Sequence, residues 1–106
     1  MGIIIKDGSK ITMKLDKDLI AKLAPSIRSE LFALIKEPSS EVTLDLSDIE
    51  LVDSTGIGIL IALHHSLNKS GSKLRVINIH HDIYAMLTMM RLDSHFALEC
   101  ARRKEG

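Results

Sequence analysis

The period of the apolar and polar positions changes several times along this chain, and each change marks an element. Residues 3–5 are isoleucine, DGSK at residues 7–10 is a turn signal, and Ile11, Met13 and Leu15 then alternate with polar neighbours. This pattern predicts a β-hairpin at the start of the fold. DKDLIAKLA is a connection of no fixed form. Pro25 suits the first turn of a helix, where its missing N–H costs nothing. Ile27, Leu31, Leu34 and Ile35 follow at helical spacing, and Pro38 ends the helix. Val42, Leu44 and Leu46 alternate in the next strand. A second helix is expected from about Ser54 to Lys69, with Asn68 and Gly71 as stop signals. KLRVINI, residues 73–79, is a strand rich in β-branched residues. Asp82 opens a third helix, in which Ile83, Met86, Leu87 and Met90 keep helical spacing; Met86, Met89 and Met90 are read as core. RLDSHFALEC reads as a turn, a short strand and a tail. A hairpin followed by alternating helices and strands predicts a single α/β domain with a mainly parallel sheet covered by helices. Its ordered core is expected over about residues 3–99, with a tail over 100–106.

One junction stands apart from this pattern. In LVDSTGIGIL, residues 51–60, an acid, two hydroxyls and a glycine interrupt the apolar positions where a loop gives way to a helix. Asp53 and Ser54 are both preferred N-cap residues, so one of them caps. At about 100° per residue, Gly56, Ile57, Leu60, Leu63 and Leu67 converge on a core face, with His64 close to it. The opposite face carries Thr55, Gly58, Ala62, His65 and Lys69, with Ile59 and Ser66 at its margin. A solvated helix face ordinarily carries long charged side chains. Near its N-terminus this one carries Thr55, Gly58, Ile59 and Ala62, low and partly apolar, so another backbone could approach closely. Ser54 sits beside that surface. A phosphate on it would add roughly two negative charges. The helix dipole tolerates that charge locally, while bulk and charge would oppose a packed partner.

Composition narrows the possibilities. Lys and Arg number 14, as do Asp and Glu, so formal net charge is zero. That balance gives no sign of a nucleic-acid or membrane-surface partner. Arg102, Arg103 and Lys104 form a basic cluster read as a solvated tail. Cys100 is the sole cysteine, which excludes a disulfide within the chain and a cysteine-based zinc site. No apolar run approaches the roughly 20 residues that span a bilayer, and the start does not read as a signal peptide. The expected location is cytoplasmic. A serine hydrolase would need a G-x-S-x-G elbow, but Val52 and Asp53 precede Ser54. His64–His65 and His80–His81 are adjacent pairs, and neighbouring helical residues point about 100° apart, so they do not chelate together. Gly56 and Gly58 lack the third glycine of a dinucleotide fingerprint. No cofactor, metal site or catalytic residue is expected.

Residues 41–96 also carry a resemblance. The strand with Asp45 and Ser47, the Asp53-Ser54-Thr55-Gly56 junction, the apolar helix ending near Gly71, LRVIN, and the closing Arg91–Phe96 segment resemble a STAS domain of the anti-sigma factor antagonists. The family's usual Asp-Ser-Ser-Gly is Asp-Ser-Thr-Gly here, and Met13 and Lys14 stand where a glycine precedes Leu-Asp, so only Asp16 carries over there. The resemblance implies a phosphorylation-switched binding protein, not an enzyme. Ser54 would be phosphorylated by a serine kinase that is also an anti-sigma factor, and a PP2C-type phosphatase would reverse it. The unphosphorylated form would bind the kinase through Asp53, Thr55, Gly56, Gly58, Ile59 and Ala62. The chain would be a monomer or weak dimer. The alternative within the same resemblance is an accessory subunit of a lipid-transport ABC complex that binds its ATPase without a phosphoswitch.

Overall fold

The hairpin forms first in sequence and closes tightly. β1 (Ile3–Asp7) pairs antiparallel with β2 (Lys10–Lys14) across a two-residue loop, Gly8–Ser9. Gly8 takes φ +61°, the left-handed conformation such a loop requires and glycine adopts without strain. The computed structural model describes residues 2–36 and 38–101. Beyond the hairpin lie α1 (Ala24–Leu34), β3 (Glu41–Asp45), α2 (Ser54–Lys69), β4 (Lys73–Ile79), α3 (His81–Met89) and β5 (Ala97–Cys100). The stretch DKDLIAKLA takes a definite form: Leu19 makes an isolated parallel bridge to Val52, and Ala21–Leu23 is a turn of 3₁₀ helix. A second 3₁₀ turn, Leu92–Ser94, precedes β5. The expected tail begins at the end of β5, and residues 102–106 of it lie outside the described residues.

The five strands lie in sequence order, β1-β2-β3-β4-β5, and every pairing after the hairpin is parallel. That order has a consequence. Each crossover from β2 onward steps one strand in the same direction, and parallel crossovers are right-handed. All three helices therefore fall on one face of the sheet. Burial agrees: Ile11, Met13, Val42, Leu44, Leu74 and Val76 point into one continuous aliphatic core with Ile27, Leu31, Leu60, Leu63, Ile83 and Leu87 from the helices. The opposite face is open, which is unusual for parallel strands. Its charges run in columns of alternating sign. Lys10 and Lys14 lie on β2, Glu41 and Asp45 on β3, Lys73 and Arg75 on β4, and Glu99 on β5. Arg75 donates to Glu99 at 2.7 Å. The long side chains cover the backbone, which leaves Thr43 only 7% exposed on a face without helices.

The third helix departs from the reading of the sequence. Ile83 and Leu87 are buried and Met86 partly so, but Met89 is 84% and Met90 50% exposed. The helix ends at Met89, and Met90 is its C-cap. Met90 thus lies past the helix, and Met89, its last residue, falls off the Ile83–Leu87 stripe.

Candidate functional site

The carboxyl ends of β2 and β3 feed two loops, residues 15–20 and 46–53, that are stitched together before α2 begins. Leu19 N–H donates to Leu51 O and Asp53 N–H to Leu19 O, both at 3.0 Å. Asp18 Oδ1 accepts from the N–H groups of Glu50 and Leu51 at 2.9 and 3.2 Å. Asp53 finishes the seam. Its backbone is extended, as an N-cap requires. Oδ1 accepts from Gly56 N–H at 3.0 Å and Oδ2 from Ala21 N–H at 2.9 Å. The Ala21 N–H, then that of Gly56, hold the Asp53 carboxyl below its ordinary value. Asp53 is thus the cap, and Ser54 is free of that duty.

Ser54 is the first residue of α2 and is exposed, as is Thr55. Gly56 is buried for a packing reason: a Cβ there would run into the Leu19 carbonyl. The two loops lie against the helix so closely that only glycine fits. Gly58 is different. It is exposed, and nothing lies within 4 Å of a Cβ built on it. A mid-helix glycine is destabilising by about 1 kcal/mol relative to alanine, and no neighbour in the fold requires it. Ala62 is half-buried beside it.

Ile59 does not belong to this surface. The helical wheel puts it at the margin of the outer face, yet it is 1% exposed and part of the core. α2 packs against the sheet and against α1 together, so its buried arc is wider than a single stripe and takes in a residue at the wheel's margin. Conversely, Leu51, absent from the expected set, is 58% exposed three residues before Ser54. It has no periodic signal, because its loop has none. The seam to Asp18 and Leu19 is what fixes its place beside the helix start.

Among the described residues, no group of three or more His, Cys, Asp or Glu side chains is arranged to hold a metal ion. His64 lies ten residues along α2 from Ser54, about 15 Å at 1.5 Å per residue, so the two side chains do not meet. No helix among the described residues is long and apolar enough to cross a membrane.

Comparison with solved structures gives the same architecture repeatedly. An anti-sigma factor antagonist from Mycobacterium paratuberculosis superposes with a TM-score of 0.82 at 19% identity, over 93% of this chain and 84% of that one. A STAS domain protein from Planctomyces limnophilus gives 0.81 at 11%, over 95% and 91%. The anti-sigma factor antagonist SpoIIAA in its unphosphorylated form gives 0.74 at 12%, over 99% and 90%. No curated protein matches the chain significantly by sequence. The family model of the STAS domain matches residues 3–104, nearly the whole length, and with the one-sided five-stranded sheet it shows that the chain belongs to the STAS domain family.

Proposed function

We propose that this STAS domain is an anti-sigma factor antagonist whose binding is switched by phosphorylation of Ser54. The observation that carries the reading is the bare notch at Gly58. This exposed mid-helix glycine has open space around it and lies one turn from an exposed serine at the helix start. An external backbone that packs on Gly58 and Ala62 would give the notch its reason. Thr55 and Leu51 flank it, and Asp53 and Gly56 hold the seam that keeps it rigid.

The local electrostatics support the switch. Asp53 already occupies the Gly56 N–H at the start of α2. A phosphate on Ser54 would meet a neighbouring carboxylate as well as the helix dipole, and its charge of roughly −2 would project into the docking surface. The unphosphorylated chain would then bind a serine kinase that is also an anti-sigma factor. The phosphorylated chain would release it, and a PP2C-type phosphatase would restore binding. In this scheme the chain is itself a binding protein with no catalysis of its own, acting in the cytoplasm as a monomer or weak dimer.

The test is incubation with the candidate kinase and ATP, followed by intact-mass and peptide mass spectrometry. One phosphate on the Ser54 peptide, absent from Ser54→Ala, is expected. Modification confined to Thr55, or surviving in Ser54→Ala, would overturn the assignment.

A further inference from the structure

At the opposite end of α2 from Ser54, three imidazoles gather. The ring of His64 lies 5.4 Å from that of His65 and 6.0 Å from that of His95, and 5.4 Å from the Phe96 ring, centroid to centroid. His64 and His65 belong to α2, whereas His95 and Phe96 join the second 3₁₀ turn to β5. We propose that this cluster is an acid-operated latch: with neutral rings it holds the His95–Phe96 segment on α2 and so anchors the start of β5, and protonation of His64 releases them. The proposal is independent of the phosphoswitch.

The geometry gives the reason. His64, His95 and Phe96 form the partition between two cavities. One, of about 200 Å³, has an apolar wall of Ile61, Met90 and Leu92. The other, of about 340 Å³, is bordered by Glu41 from β3 and by Lys73 and Arg75 from β4. The charges that a protonated His64 would meet are those of the two other imidazoles, His65 and His95, while Lys73 and Arg75 carry their charges on the open face of the sheet. Among the described residues Glu41 is the one carboxylate lining either cavity, and β5's Glu99 is engaged by Arg75. The end of α3 and the 3₁₀ turn contribute only Met90 and Leu92 to the lining. None of the three histidines has an ion-pair partner among the described residues. Burial, then the proximity of His65 and His95, holds the His64 imidazole below its ordinary value.

The sign follows. The folded state binds fewer protons at His64 than the unfolded chain does. The latch is therefore at full strength above the ordinary histidine value near 6.5 and weakens as pH falls below it. The two cavities beside the ring give water a way to the charge. What yields is β5, an edge strand whose pairing with β4 slips register between Val76 and Ile79. Local opening of an edge strand precedes global unfolding.

Amide hydrogen exchange by NMR, corrected for intrinsic rates, tests this at pH 7.5 and 5.5. Protection of β5 and of Ala101, whose N–H donates to Ile79 O, should fall at least about fivefold while β3 holds. His64→Leu should abolish the fall. His95→Gln, a change at an exposed position, removes one repulsive neighbour and should make the fall smaller. It keeps the test decisive if His64→Leu does not fold. The proposal is overturned if β5 keeps its protection at pH 5.5, if β3 and β5 lose it together, or if the fall is unchanged in the variants that fold.

Discussion

Replacing Gly58 by alanine separates the fold's needs from the partner's. The added methyl enters open space, so the helix gains its ordinary preference for alanine over glycine, about 1 kcal/mol. At roughly 2.1 cal/mol/K of unfolding entropy per residue, a chain of 106 residues should melt about 4–5 °C higher. The same methyl would stand where a partner's backbone is proposed to pack. Overpacking by one methyl costs about 1–2 kcal/mol in a well-packed contact, or roughly 5–30-fold in Kd. Thermal denaturation by circular dichroism and calorimetric titration against the candidate kinase read the two effects. Stability and affinity should move in opposite directions. If Gly58→Ala lowers the melting temperature, the glycine has an internal role and the notch argument collapses. If it raises the melting temperature and leaves affinity unchanged, the docking surface lies elsewhere.

Ile59→Ala and Ala62→Arg should divide in a related way. The buried isoleucine should cost about 2–5 kcal/mol of stability without a specific binding defect, whereas the arginine should fold normally and bind at least about tenfold more weakly, measured by the same pair of assays. Gly56→Ala should destabilise by about 3 kcal/mol, because the obstructing Leu19 carbonyl belongs to the seam and has no room to move; urea titration reads this. Ser54→Asp should weaken kinase binding less than a phosphate does, since one carboxylate carries less charge, and Ser54→Ala should bind at parental strength. Asp53→Asn keeps a cap but loses a titrating group. Because the folded-state value of Asp53 is lowered, its contribution is complete above the unfolded carboxylate value and is lost as pH falls through the folded one. The asparagine variant should therefore show a flatter acid limb when melting temperature is followed from pH 6 down to pH 2.5.

Much of the fold was legible locally. The hairpin followed from a turn signal between an isoleucine run and an alternating strand. The helices followed from Ile27–Leu31–Leu34 and Leu60–Leu63–Leu67, because a period set by backbone geometry is written directly in residue spacing. The Asp53-Ser54-Thr55-Gly56 junction stood out for the same reason: small polar residues at a loop-to-helix boundary have few roles. Contacts between segments distant in sequence settled the rest. Asp53 is the cap, and not Ser54, because its second oxygen is needed by Ala21, 32 residues earlier. Gly56 is obligatory because the Leu19 carbonyl lies against it. Ile59 is buried because α2 has two neighbours, and a helical wheel assumes one. Met90 is exposed because α3 stops before it, and Met89 because the last helical residue falls off the Ile83–Leu87 stripe. His64 meets His95 only because the segment that leads into β5 lies against α2, 31 residues later in a strand order that no local pattern encodes.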